Sequence, residues 1–394
     1  MNLLYISKHG YIKDSDGNVF PVGMMGSDYF EKYLPYFDAV TVIGYVREAT
    51  EANLRKTVGN PIRDTERIKF RLAPCGSSRL ATSFTNKEIK KLIKDCITDA
   101  DAVVCKSATG TKLASHYARK YKKPYMIEVV GCAWDAMWNH SIVGKLLAPI
   151  EWFRLKRLAK KAPYVCYVTS EFLQRRYPTK GKSAGISDVQ LKAVDDCVLE
   201  NRLNRLNRQT GEKIKIGTAG AVHVAYKGQR YVIEAIAKLK EEGNTEFEYH
   251  LAGGGDNSAL KNLAEQLEVS EQVVFEGSLP HDVMFDWLDS LDLYIQPSTV
   301  EGLPRALVEA MSRGLPAFAS RVGGMPELLE ENAVFTKKDV NALTELLRGF
   351  KPEDAREMAQ RNFKRAGDFC KENLEEMRND FYTAFARDAE ENRK

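Results

Sequence analysis

Short apolar runs alternate with helical patterns along most of this chain, and that alternation restricts the fold more than any other feature. Candidate strands lie at residues 3–7, 39–43, 68–72, 101–105, 125–130 and 164–169, and again at 214–218, 248–252, 273–275 and 291–296. Helical periodicity fills several gaps, notably 87–97 and 111–121. Parallel strands need long crossovers, so this order predicts an α/β fold of mostly parallel sheets covered by helices on both faces. Gly17, Gly23 and Gly26 punctuate the gap after the first run, before a helix from Ser27 with Phe30, Tyr33 and Leu34 on its period. Glycines there let backbone approach a ligand closely, although taken alone they read as a long loop. Residues 44–67 carry no clear pattern and read as an insertion.

At 394 residues the chain exceeds one ordinary domain, and two are expected. The stretch TKGKSAGIS at 179–187 is rich in Gly, Lys and Ser and reads as a linker. With charged, poorly patterned sequence following at 195–211, the boundary falls between 180 and 212. We place it at 190/191, giving units 1–190 and 191–375 and a final helical stretch 376–394. With 44% hydrophobic and 28% charged residues the composition is globular. No run approaches the roughly 20 apolar residues of a membrane span. The start, MNLLYISKHG, reads as a strand rather than a secretion signal. Seven cysteines without C-x-x-C spacing argue for a reducing compartment and against a metal site. The expectation is a cytoplasmic protein.

Charge is unevenly shared. Residues 1–200 hold 32 Lys+Arg against 21 Asp+Glu, a net of +11, while 201–394 hold 26 against 33, a net of −7. The first half is therefore expected to meet something anionic. Zinc-finger spacing, a basic zipper and an RNA-binding signature are all absent, so nucleic acid is not expected. An anionic lipid surface or a diphosphate-linked acceptor fits better. Residues 142–162 mix Leu146, Leu147, Ile150, Phe153, Leu155 and Leu158 with Lys145, Arg154, Lys156, Arg157, Lys160 and Lys161. Such a helix can lie in a bilayer interface, which would put the protein at the inner face of the cytoplasmic membrane, or can be a domain helix with a solvated basic side.

The stretch QPSTVEGLPRALVEAMSRGLPAFASRVGGMPE, residues 296–327, reads as strand end, loop, helix, strand and loop. Pro304 suits a first helical position, where a missing N–H costs nothing. Ala306, Leu307, Ala310 and Met311 form one apolar face, and Gly314 with Pro316 ends the helix. Amides near Leu303 and Arg305 would lie at the helix start, a ready phosphate site. Glu301 and Glu309 bracket that start. Glu309 lies four residues past Arg305, so a surface ion pair competes with a cleft-facing role that sugar hydroxyls would satisfy.

EGLPRALVEAM resembles the E-x7-E signature of retaining glycosyltransferases of family 4, which share the two-domain GT-B architecture of facing Rossmann-like domains. Lys227-Gly228, AGGGD at 252–256 and PSTVEGLP at 297–304 fall in the family's order. The resemblance implies a second domain that binds the nucleotide-diphosphate sugar and a first that binds a glycan or polyprenyl-diphosphate-linked acceptor, with the last helix crossing back to the first domain. It implies catalytic roles for Lys227, at the leaving diphosphate with the amides near Leu303, and for Glu301, at the sugar hydroxyls, with donor-binding contacts from Gly302, Leu303, Pro304 and Arg305 and ribose contact from Glu309. Gly220, His223 and Gly253 would lie in donor-binding loops, Ser278 and Leu279 would border the base, and Gly23 and Gly26 would face the cleft. Residues 44–67 would then face the acceptor.

The chain departs from the family twice. Many members carry a histidine at the end of the strand matched by 125–130, yet residues 129–131 hold none; Glu128, Asp135 and His140 are the alternatives. The arginine common after the first loop glycine is replaced by Ala221 or Val222, with His223 or Arg305 as substitutes. Neither metal nor cofactor is expected, since no Asp-x-Asp pair sits at a ligand position and this architecture usually manages without one. The family reacts on the donor's front face, so no protein nucleophile is assigned. Alternatives are an epimerase or hydrolase sharing the donor pocket, or a non-catalytic sugar-nucleotide-binding partner of a transferase. A dehydrogenase fits least, because G-x-G-x-x-G fails at Ser258.

Overall fold

The computed structural model describes residues 1–22, 25–50, 60–74, 87–106, 111–139, 141–189, 191, 195–207 and 213–393. Two sheets organise it. The first contains β1 (Asn2–Lys13), β2 (Val19–Pro21), β3 (Ala39–Glu48), β4 (Ile68–Pro74), β5 (Ala102–Lys106), β6 (Tyr125–Val129), β7 (Tyr164–Tyr167) and β8 (Lys182–Gly185). Its order is β4-β3-β1-β5-β6-β7-β8, parallel except for β2, which pairs antiparallel with β1. The second contains β9 (Ile214–Ala219), β10 (Phe247–Ala252), β11 (Val273–Gly277), β12 (Leu293–Gln296), β13 (Ala317–Ser320) and β14 (Val334–Phe335), all parallel in the order β11-β10-β9-β12-β13-β14. Both orders reverse beside their first strand. These are Rossmann-like, doubly wound sheets, whose ligands bind outside the carboxyl ends of the strands at that reversal.

Two expectations are corrected. The segment 179–187 is not a linker: Lys182–Gly185 pairs in parallel with β7 and closes the sheet's edge. An edge strand needs only one apolar face and stays short, so KSAG shows no apolar run. The gap after residue 7 is not a long loop either. β1 continues to Lys13 past a register shift between Ile6 and Gly10, and a hairpin turns it into β2. Asp14 accepts from the backbone of Asp16 and Asn18, and Gly17 takes the left-handed conformation at φ +87° that this turn requires. Likewise β3 extends to Glu48; residues 51–59 of the expected insertion lie outside the described residues.

The core divides by layer. One buried cluster fills the second unit, including Ile216, Val232, Leu251, Ile295 and Met311. The first sheet carries a cluster on each face. On one of these the long helix Lys371–Glu391 lays Leu374, Phe381, Tyr382 and Phe385, with Tyr382 stacked on Tyr33 at 5.3 Å between ring centroids. The end of the chain thus packs on its beginning.

Candidate active site

The loops after β9 and β12 meet over a single cation. After Gly220 the chain makes a 3-10 turn, Ala225–Lys227, and Gly228 follows at φ +78°, starting helix Gln229–Glu241. A Cβ on Gly228 would collide with the Pro297 carbonyl, so the loop closes only around glycine. This places Lys227 Nζ 2.8 Å from Glu301 Oε1. Thr299 N donates to Tyr226 O at 2.7 Å and ties the two loops.

Beneath the pair runs a buried polar ladder that sequence reasoning missed. The Ala219 amide donates to the Tyr294 hydroxyl at 3.3 Å, and that hydroxyl donates to Gln296 Oε1 at 2.8 Å. Burial, and then the Glu309 and Glu301 carboxylates, hold the Tyr294 hydroxyl well above the usual tyrosine range, so it remains a donor. Gln296 Nε2 is therefore turned to Ser298 Oγ at 2.9 Å and Glu301 Oε1 at 3.4 Å. Glu301 thus has a neutral donor below and a cation beside it. On the other side of Gly220, Gln229 Nε2 donates to the Gly220 carbonyl at 3.2 Å and supports the loop. The available signal was Gln296, a polar residue that ends the apolar run 291–296.

A second wall comes from the first sheet. A cavity of about 770 Å³ lies between the units, lined by His223, Lys227, Glu301 and Gly302 on one side. Val130, Gly131 and Cys132 after β6, helix Ala133–Trp138, and helix Ile142–Lys161 line the other. That wall is largely apolar, through Ala133, Ala136, Met137, Leu155 and Leu158, with Glu151 and Arg154 as an ion pair. The units touch closely here: a Cβ on Gly302 would overlap the Val130 carbonyl oxygen.

The structure separates the expected site residues into groups. His223, Lys227, Glu301 and Gly302 line the cavity. Gly220 and Gly253 stack backbone to backbone beside it, with no room for a Cβ on Gly253, and a Cβ on Gly254 would rest 3.5 Å from Ser278 Cβ. Gly255, at φ +116°, has its missing Cβ replaced by the His223 ring. Leu279 is half-buried against the second core, and Leu303 packs against the cores of both units. Pro304 sits one residue earlier than expected, as the N-cap of helix Arg305–Ser312.

Arg305 Nε and Glu309 Oε1 form the i,i+4 pair at 2.8 Å, with Glu309 only 8% exposed. Neither lines the cavity, so of the two substitutes for the missing arginine His223 is the one placed there. Gly26 caps helix Ser27–Phe30, does not line the cavity, and would meet only Pro21 Cγ, at 3.9 Å, if it carried a Cβ. Gly23 and His140 lie outside the described residues.

The two carboxylates named as replacements for the family histidine face elsewhere. Glu128 is buried against Tyr5, whose hydroxyl donates at 2.8 Å, and against Tyr33, with Lys32 at 3.9 Å. Burial alone would raise its carboxyl, but Lys32 and Lys106 hold it below the usual range. Asp135 lies 3.9 Å from Arg176 and does not line the cavity. Among the described residues no three His, Cys, Asp or Glu side chains group as a metal site.

Comparison with known proteins agrees with this geometry. Residues 206–366 match the family described as glycosyl transferases group 1. Protein CapJ of Staphylococcus aureus is 34% identical over 355 residues, covering 88% of this chain and 85% of CapJ. A putative colanic acid biosynthesis glycosyltransferase, WcaL of Escherichia coli (strain K12), is 34% identical over a shorter stretch, 34% of this chain and 35% of that protein. Among solved structures, sucrose-phosphate synthase from Thermosynechococcus elongatus aligns with a TM-score of 0.66 at 16% identity, covering 98% of each chain. Anabaena HepE in complex with UDP aligns at 0.58 and 16%, over 100% of this chain and 99% of that one. Two facing doubly wound sheets are the GT-B fold, and the chain belongs to the glycosyl transferases of group 1.

Proposed function

We propose that this protein is a retaining glycosyltransferase of family 4 type, moving a sugar from a nucleotide-diphosphate sugar to a glycan or polyprenyl-diphosphate-linked acceptor in polysaccharide biosynthesis. The observation that carries the reading is the Lys227–Glu301 pair on the floor of a cleft whose opposite wall belongs to the other unit. A cation and an acceptor-only carboxylate at adjacent points suit a diphosphate and a hydroxyl-rich sugar. On donor binding the diphosphate takes Lys227 and the start of helix Arg305–Ser312 as counter-charge, which stabilises the negative charge developing as the sugar–phosphate bond breaks. Glu301, released from Lys227, accepts from sugar hydroxyls.

The acceptor enters from the apolar wall. Its hydroxyl oxygen forms the new bond to the anomeric carbon on the face the diphosphate leaves. The bond's electron pair departs with the diphosphate, whose oxygen takes the hydroxyl proton. Retention follows without a protein nucleophile. WcaL, a putative colanic acid biosynthesis glycosyltransferase, supports a polysaccharide role, and HepE's UDP complex makes a uridine diphosphate donor the first to try.

The same helix that walls the cleft supports membrane contact. Ile142 is 81% exposed, Leu146 74% and Phe153 60%, with Ile150 between them on one stripe that ends in Arg157, Lys160 and Lys161. An apolar stripe with a basic end fits an anionic bilayer surface, although no helix among the described residues is long and apolar enough to cross a membrane. Hydrogen exchange with and without uridine diphosphate tests the donor assignment. Protection is expected at 220–228, 253–255, 278–279 and 302–305; protection confined to the first unit would overturn it.

A further inference from the structure

Glu327 makes contacts that the transfer chemistry above does not use. It belongs to the second unit, in the short helix Met325–Leu328, yet its carboxylate accepts from three backbone amides of the first: Ser170 at 2.7 Å, Glu171 at 3.1 Å and Phe172 at 2.5 Å. These amides begin helix Phe172–Arg176, whose N-cap Glu171 supplies no side-chain cap of its own. Leu173 N is met by Thr169 Oγ1 at 3.0 Å, so each amide from Ser170 to Leu173 has an acceptor, three of them on a residue of the other unit. Clefts of about 360 and 400 Å³ flank Glu327, both lined by Ser170 and Arg365, while Leu303 adds apolar packing between the units beside the hydrogen bonds.

The backbone connects this contact to the reacting groups. Gly323, at φ +60°, lies against the Glu301 and Gly302 carbonyls with no room for a Cβ, and Gly324 N donates to Gly302 O at 2.7 Å. On the other side Val168 N donates to Val129 O, joining β7 to the strand that ends at the cleft wall. Glu301 and Val130 are therefore held relative to each other through Gly323–Gly324, Glu327 and the turn 170–172.

We propose that Glu327 is a positioning residue, a clamp that fixes the first unit's cleft wall against the Glu301 loop, and that its loss separates acceptor from donor without disturbing donor binding. The turnover part of this claim rests on the transferase reading; the structural part does not. The test compares Glu327→Ala and Glu327→Gln with the wild type by amide exchange, by solution scattering, by uridine diphosphate affinity and by transfer turnover. In the alanine variant, exchange at 170–172 should rise about tenfold or more, scattering should report a more open particle, and nucleoside diphosphate affinity should stay within about twofold, while transfer kcat falls about tenfold or more. Glu327→Gln, which keeps one acceptor oxygen, should fall between. Unchanged exchange and scattering in the alanine variant would overturn the clamp whatever happens to activity. Faster exchange with undiminished transfer would overturn the positioning role, and equal loss of nucleoside diphosphate affinity would show general damage to the site and overturn it too. If the wild type proved not to be a transferase, exchange and scattering would still decide the clamp.

Discussion

Glu301 and Lys227 neutralise one another at 2.8 Å, and that pairing sets up opposite responses to two substitutions. Unit charges about 4 Å apart interact by roughly 4 kcal/mol at the effective dielectric of a partly buried site. Desolvation and side-chain ordering leave about 1–2 kcal/mol of net attraction for such a pair. A diphosphate must displace that attraction to use Lys227. Glu301→Gln preserves shape, keeps a neighbour for Gln296 and frees the lysine. Free nucleoside diphosphate should then bind the variant as tightly as the wild type or up to about tenfold more tightly. Transfer should nevertheless fall about 10²–10³-fold, because a charged acceptor for sugar hydroxyls is missing where they must be held in the transition state.

Lys227→Met should show the reverse order of effects. Nucleoside diphosphate affinity should fall about tenfold to a hundredfold, and Glu301, left with the 3.4 Å contact to Gln296, should cost about 1–3 kcal/mol of folding stability. Calorimetric titration with uridine diphosphate and release kinetics at saturating donor separate the two variants. If Glu301→Gln weakened free nucleoside diphosphate as much as Lys227→Met does, the carboxylate would not compete with the donor for the lysine and the division of roles would be wrong.

Three further tests address other layers of the structure. Gly302→Ala puts a methyl group into the Val130 carbonyl, an overlap between units costing about 1–3 kcal/mol; transfer should drop about 5–100-fold while the thermal midpoint of the second unit barely moves, and undiminished transfer would show that the close approach is dispensable. Burial first and Lys106 second push the His9 imidazole down to about 4 from 6.5, so between those values the unfolded chain takes up a proton that the folded one does not, and stability falls as pH drops through that window. His9→Gln should remove that slope in denaturant midpoints between about pH 6.5 and 5, whereas Glu128, held below its ordinary 4.5, acts in the same direction only at lower pH; an unchanged slope would refute the assignment. Leu146→Ser with Phe153→Ser should reduce co-sedimentation with anionic vesicles by about tenfold or more, since each large apolar side chain is worth about 1.5–3 kcal/mol on burial. Binding retained by the double variant, or absent in the wild type, would contradict the membrane reading.

Most strands of both sheets were legible because parallel strands covered on both faces must be continuously apolar, as at Ala102–Cys105 and Leu293–Ile295. The Arg305–Glu309 pair was legible as spacing, and so were the helix from Ser27 and the Lys227 turn. What escaped was whatever depends on distant partners or on side-chain direction. β8 is too short and too polar to show an apolar run, and only its pairing with β7 reveals it. Glu128 follows the run toward the cleft, but strand alternation turns it into a tyrosine-lined interior on the far side. The periodicity of 142–162 was plain, yet it did not tell which stripe would wall the cavity and which would stay exposed. Glu327 closes its contacts across more than 150 residues, beyond any local pattern.

Lys227 and Glu301 are proposed as the donor end of a sugar-transfer site. Release of nucleoside diphosphate from a panel of UDP-, GDP-, ADP- and dTDP-sugars, with and without a lipid-acceptor extract, tests it most directly, with Lys227→Ala in parallel. Release from one donor, increased by the extract and lost in the variant, is the expected result. Tight donor binding by the wild type with no release in the presence of acceptor would contradict the claim and leave a sugar-nucleotide-binding protein in its place.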